Sequence, residues 1–222
     1  TVPYYPLCSP KLHPKRNLRK KFVIFCEGDT EYNYIDAMRL KQGVELALRP
    51  VNMHGGGYSS FLEEIKKEAS NNCLAKFIII DFDRVKTNIG ELQKLKEIIG
   101  YCALQNISKR IPHFLIIDNP DFEYIACLHV DNYNGQNVKK YIEQTLEFGN
   151  VDNFKAKKDV YDYLNTKGNS YKQMLARLRE KIIVNHYQIN KQNFEITISK
   201  MDVMWDNENR RGSNINEFFE VI

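Results

Sequence analysis

Short, wholly apolar runs alternate with longer stretches of helical periodicity through about residue 130. Phe22-Val-Ile-Phe-Cys26 is apolar at every position and stops abruptly at Glu27-Gly28. A run this short, apolar on both faces, predicts a strand covered on both sides. Thr30 is placed to cap a helix starting at Glu31, with Tyr34, Ile35, Met38 and Leu40 as its apolar face and Gly43 as its end. Val44, Leu46 and Leu48 then alternate with polar or small residues, which predicts a second strand over 44–52. The cluster Gly55-Gly56-Gly57 follows His54 and leads into a helical pattern from Ser59 to Ala69. Residues 76–82 read as a third strand. Ile89 to Leu104 read as a helix with Leu92, Leu95, Ile98 and Ile99 on one side, and residues 112–117 as a fourth strand. Strand–helix alternation of this kind predicts an α/β unit, a mainly parallel four-stranded sheet flanked by helices. In such sheets sites lie beyond the carboxyl ends of the strands. Glu27, Asp81, Asp83 and Asp118 all fall at those ends.

Beyond residue 120 the pattern changes. Asp121 to His129 reads as a helix, Asp131 to Gly135 as a turn-rich break, and 138–148, 157–164 and 170–187 as helices, with a short capped helix over 213–219. The predicted organisation is a basic N-terminal arm (1–21), an α/β domain (22–130) and a mostly helical C-terminal region (131–222) packed on it.

At 43% hydrophobic, 222 residues suffice for an ordinary core. No stretch approaches the roughly 18 consecutive apolar residues of a membrane span. The basic, Pro-containing start lacks the apolar centre of a signal peptide. The five cysteines are odd in number and have no ligand-like spacing, which predicts reduced thiols and a cytoplasmic setting. The net charge of +4 permits a polyanionic partner without demonstrating one. Lys15, Arg16, Arg19 and Lys20 lie in a basic run directly before the first strand. That run is either a solvated leader or an arm for nucleic-acid phosphates, and Arg84 is a further candidate for such contact.

Asp81 and Asp83 project to one side if the backbone stays extended, with Phe82 opposite. Two close carboxylates repel, and a divalent cation offsets that repulsion; oxygen-only ligands favour Mg2+ or Mn2+ over zinc. Glu27 on an adjacent strand would add a third acid, an arrangement suited to phosphoryl transfer. The bland alternative for Asp81 and Asp83 is a turn or helix cap. The glycine cluster is a phosphate cradle or a permissive turn, and the turn is preferred because Gly-Lys-Ser/Thr is absent. Tyr133, Tyr141, Tyr161, Tyr163, Tyr171 and Tyr187 are read as core and boundary residues in preference to base-stacking platforms.

Glu-Gly after the first strand and Asp-x-Asp after the third resemble the Rossmann-like TOPRIM domain of topoisomerases, primases and OLD-type nucleases. More narrowly, Cys26-Glu-Gly-Asp-Thr-Glu-Tyr-Asn-Tyr34 is similar to the opening motif of the RloB-like family. Asn119-Pro-Asp-Phe-Glu123 with Leu128-His129 resembles that family's Asn-Pro-x-Phe-Glu segment followed by Leu-His. RloB-like proteins are encoded with restriction and other antiviral defence genes and are regarded as TOPRIM nucleases. The resemblance, over roughly residues 20–130, implies a Mg2+- or Mn2+-dependent endonuclease acting on DNA or RNA, tRNA included. It implies a role in antiviral defence such as abortive infection, and a defence ATPase or activator as partner. Glu27 would be base or metal ligand, and Asp81 and Asp83 the metal-binding pair. Glu31 would be a second-metal ligand or only part of a helix's first turn. Glu123 and His129 would belong to the later catalytic motif, His129 as a phosphate contact or as a buried, hydrogen-bonded histidine. Asp121 stands where the family commonly has Cys, and Ile125 where it commonly has Trp, which suggests a divergent member. The alternative from a different class is a sensor or regulatory subunit whose acidic site binds metal or nucleotide without turnover. Other TOPRIM activities, primer synthesis or strand passage, are disfavoured by the lack of a zinc module and of an evident tyrosine nucleophile.

Overall fold

A computed structural model of the chain describes residues 22–44, 46–51, 56–68, 73–88, 90–107, 111–167, 171–179, 187–190, 195–198 and 211–222. The basic arm with Lys15, Arg16, Arg19 and Lys20 lies outside the described residues, as do His54 and Trp205. The first half runs β1 (Phe22–Cys26), α1 (Asp29–Gln42), β2 (Leu46–Pro50), α2 (Gly57–Lys67), β3 (Ala75–Asp81), α3 (Asp83–Thr87), α4 (Gly90–Ile107), β4 (His113–Asn119) and α5 (Phe122–Cys127). Then come α6 (Val138–Lys140), a π-helical turn (Tyr141–Thr145), α7 (Val151–Lys155), α8 (Val160–Lys167) and α9 (Tyr171–Arg179). The strands β5 (Tyr187–Asn190), β6 (Glu195–Ile198) and β7 (Gly212–Ser213) and the helix α10 (Asn216–Val221) complete the described chain.

The apolar runs become strands because both of their faces are covered. Phe22, Ile24 and Cys26 enter one hydrophobic cluster, Val23 and Phe25 the other; Phe77 and Ile79 follow the first set, Ile78 and Ile80 the second. One cluster packs under α1, α5 and α8, the other under α2 and α4. Each fully buried Ile or Phe contributes about 1.5–3 kcal/mol, so a strand with no polar alternation is held firmly in place.

The sheet is five-stranded, in the order β2-β1-β3-β4-β7. β1 pairs in parallel with β2 and β3, and β3 with β4. The fifth strand was not expected: β7 from the tail pairs antiparallel with the end of β4, Asp118 opposite Ser213. A strand of this length carries no hydrophobic period. Ser213, expected within a capped helix, is instead in the sheet. β5 and β6 form a separate antiparallel pair, and Tyr187, expected to be the last residue of a helix, is instead the first of β5. Aromatic and β-branched positions alternating with polar ones favour strand there. Among the described residues no helix is long and apolar enough to cross a membrane.

Two local expectations shift. α1 begins at Asp29 with Gly28 as its N-cap, so Thr30 lies inside the first turn and caps nothing. Leu40 is 71% exposed and takes no part in the core. Gly43 does end α1, at a φ of 66°. Gly57 opens α2 with a φ of 61°, and a Cβ there would sit 2.3 Å from Glu91 Oε2. The adjacent Tyr58 N–H donates to the same oxygen at 3.0 Å. The protein's own carboxylate thus occupies the start of α2, which matches a turn and not a phosphate cradle. Gly57→Ala is expected to cost about 1–3 kcal/mol, read as a lower urea midpoint; an unchanged midpoint would show that the Glu91 contact relaxes freely.

Candidate functional site

Parallel pairing brings the carboxyl ends of β1, β3 and β4 to one edge. The order 2-1-3 makes the β1–β3 boundary a topological switch point, where ligands of open α/β sheets bind. Glu27 follows β1 and Asp81 closes β3. Across that boundary Asp81 N–H donates to Glu27 Oε2 at 2.8 Å, and Arg84 Nε donates to Glu27 Oε1 at 3.0 Å. The Glu27 side chain is 7% exposed. Burial pushes it up to about 7 against the pull of these donors.

Asp81 Oδ1 accepts the Phe122 N–H at 2.9 Å, tying β3 to the start of α5. Burial raises Asp81 well above the ordinary carboxylate range, and Glu31 and Glu27 add repulsion. Asp121 caps α5 by accepting the Tyr124 N–H at 2.9 Å; burial, then Glu123, pushes it up to about 7. Asp118 is buried in β4, accepts from Ser213 Oγ and leaves Oδ2 without a partner. Burial pushes Asp118 up to about 7.

Glu31 and Glu123 complete the cluster from the helices. Glu31 is 1% exposed and its Oε1 has no hydrogen-bond partner. Burial, then repulsion from Glu123, raises it well above its ordinary value. Gly28 makes room for it, since a Cβ there would lie 2.8 Å from Glu31 Oε2. Glu123 is buried, accepts from Thr30 Oγ1 and lies 3.5 Å from Lys155 Nζ.

The expected Asp81–Asp83 pair does not form by strand alternation. The extended backbone stops at Asp81, Phe82 adopts a helical φ of −90°, and Asp83 starts α3 as an exposed residue. Phe82 does turn away, fully buried in the α2–α4 cluster. Arg84, expected to meet nucleic acid, is committed to Glu27. His129 lies apart from the acids: it is buried, its Nε2 is 2.8 Å from Tyr34 Oη, and no hydrogen bond or ion pair joins it to the cluster. Burial lowers it to about 3, so at neutral pH it has no charge to offer a phosphate. Of its two expected roles, the buried, hydrogen-bonded histidine matches this setting. Among the tyrosines, Tyr133, Tyr141 and Tyr161 are buried in the core, while Tyr187 has no described side chain.

The donor set is oxygen-only, and its acids outnumber the two cations beside it, Arg84 and Lys155. That chemistry fits a hard divalent ion. Ligating positions are not preformed: among the described residues no three His, Cys, Asp or Glu side chains converge as a metal-binding group. Glu27 and Asp81 instead accept hydrogen bonds from the protein's own donors, Asp81 N–H, Arg84 Nε and Phe122 N–H. Sequence reasoning reads Lys155 only as part of a basic helical face, Lys155-Ala-Lys-Lys158, and misses both its pairing with Glu123 and the true partner of Thr30. Thr30 resembled a cap, and nothing local to Lys155 points toward an acid in a distant helix. Comparison of the chain with protein-family models, with characterised proteins and with solved structures finds no match.

Proposed function

We propose that this chain is a Mg2+- or Mn2+-dependent endonuclease of the TOPRIM, RloB-like kind. It hydrolyses phosphodiester bonds in RNA, tRNA included, or in DNA, as part of antiviral defence in the cytoplasm. The observation that carries the proposal is the buried surplus of carboxylates at the switch point, with Glu31 Oε1 unpartnered. Burying a carboxylate without compensation is costly, and a site assembled from several of them calls for a cation. Glu27, Asp81 and Asp83 would hold the ion, with Glu31 and Glu123 behind them. A bound divalent ion would neutralise phosphate charge and lower the pKa of water. The chain's own part is positional: Asp81 is fixed by Phe122 N–H, Glu27 by Asp81 N–H, and Glu123 by Thr30. A defence ATPase or activator is the proposed partner.

The Arg84–Glu27 ion pair favours a second reading, a metal- or nucleotide-binding sensor without turnover, because it holds the first acid away from a ligand. The test is incubation with Mg2+ or Mn2+ and labelled DNA, bulk RNA and tRNA. Metal-dependent cutting supports the nuclease, tight binding without cutting favours the sensor, and the absence of both contradicts the pair.

A further inference from the structure

A cleft of about 390 Å3 opens beside the acids, lined by four carboxylates, Asp121, Glu123, Glu143 and Asp152, and by two cations, Lys139 and Lys155. Its size is in the range of small-ligand sites. Lys155 stands at the boundary between cleft and carboxylates. Its place is set by two anchors: the neighbouring Phe154 is fully buried, and the Lys155 carbonyl accepts from Asn33 Nδ2 of α1 at 2.8 Å. The side chain is left 43% exposed, with Nζ 3.5 Å from Glu123 Oε1.

An ammonium has three donors, and this one has a single long ion pair. Of the other cations, Arg84 holds Glu27, and Arg177 donates to the carbonyls of Leu128 and Val130. Lys139, which also lines the cleft, is 72% exposed and lies 4.0 Å from Glu143 rather than beside Glu123. The carboxylates attract Lys155, with Glu123, Asp81, Glu31 and Asp121 all acting on it. They repel any phosphate, so an anionic substrate approaches most favourably where a cation fronts them.

We propose that Lys155 is a substrate-contacting residue of the site, binding the non-bridging oxygens of a nucleic-acid phosphate that enters through this cleft. This rests on the nuclease reading and adds to it a residue from the helical region, outside every motif that suggested that reading. Held by Asn33 and Phe154, the ammonium replaces its long contact to Glu123 with direct hydrogen bonds to the phosphate.

The test is fluorescence anisotropy with short labelled single-stranded RNA and DNA, with Ca2+ and without divalent ion, over a range of salt. The proteins are the parent, Lys155→Met, Lys155→Arg and Lys140→Met. Lys140 is an exposed control that does not line the cleft. Lys155→Met is expected to weaken binding about tenfold or more. It is also expected to flatten the slope of log K against log salt by about 0.7–0.9, one phosphate contact. Lys155→Arg restores most of the affinity, and Lys140→Met stays within about twofold of the parent. A merely structural role for Lys155 would move the melting temperature and leave the salt slope alone. If the parent binds and Lys155→Met binds equally with the same slope, the Lys155 assignment falls and the nuclease reading stands. If the parent binds neither polymer in any condition, the nuclease reading falls and takes this assignment with it.

Discussion

Replacing Asp81 with asparagine is expected to reduce metal-dependent cleavage by at least about a hundredfold, since even groups behind a metal's ligands are worth about 10–100-fold. The fold should survive. Asparagine keeps an oxygen for the Phe122 N–H that Asp81 Oδ1 now accepts. It also removes a charge from a place where burial, Glu31 and Glu27 all oppose ionisation. The melting temperature of Asp81→Asn should therefore equal or exceed the parent's in metal-free buffer at about pH 8. Cleavage rates and melting curves on the same preparation separate the two effects. A folded Asp81→Asn protein that cuts at the parental rate would remove Asp81 from the chemistry.

The metal-free protein is expected to lose stability as pH rises from about 5 to about 8, the reverse of the usual carboxylate behaviour. Glu27, Asp118 and Asp121 are each pushed up to about 7. In the unfolded chain the same groups lose their protons near pH 4. Between about pH 4 and 7 the folded state therefore holds more protons than the unfolded one, and stability falls as pH increases through that window. For Glu27 alone, a shift from 4.5 to about 7 corresponds to about 3 kcal/mol. In a chain of this size that is on the order of 10 °C in melting temperature. Mn2+ should restore more of the melting temperature at about pH 8 than at about pH 5.5, because it binds the ionised carboxylates and not the protonated ones. Melting curves in EDTA and in Mn2+ at both pH values measure this. A flat metal-free profile would mean that the acids are solvated or paired more fully than their burial implies.

Much of the scaffold was legible because the physics behind it is local. Phe22–Cys26 and Phe77–Ile80 are apolar without alternation, which only a strand covered on both sides explains, and Glu27 and Asp81 followed as strand-end acids. The parallel sheet order placed them on one edge. What was not legible depends on where the chain returns. β7 has no period of its own, and it exists because Ser213 meets Asp118 at the end of β4. Lys155 reaches Glu123 only because α7 packs against α1 through Asn33. Asp83 reaches this edge by a different geometry: spacing along an extended chain puts it beside Asp81, but the strand ends and Asp83 opens α3, where its charge still acts on Glu27. Thr30 has a residue type favoured in caps, yet its burial against α5 turns its hydroxyl to Glu123. His129 had two roles open, and the apolar surroundings that hold it neutral come from Tyr34 and Tyr161, which lie far from it in sequence.

The central claim is that the acids at the β1–β3 switch point hold a divalent cation, and a crystal of the parent chain soaked in Mn2+ tests it most directly through the ion's anomalous scattering. The account predicts an Mn2+ peak among Glu27, Asp81 and Asp83, with the Arg84 guanidinium displaced from Glu27. Saturating Mn2+ with no peak at that edge, and Arg84 still paired with Glu27, would contradict it.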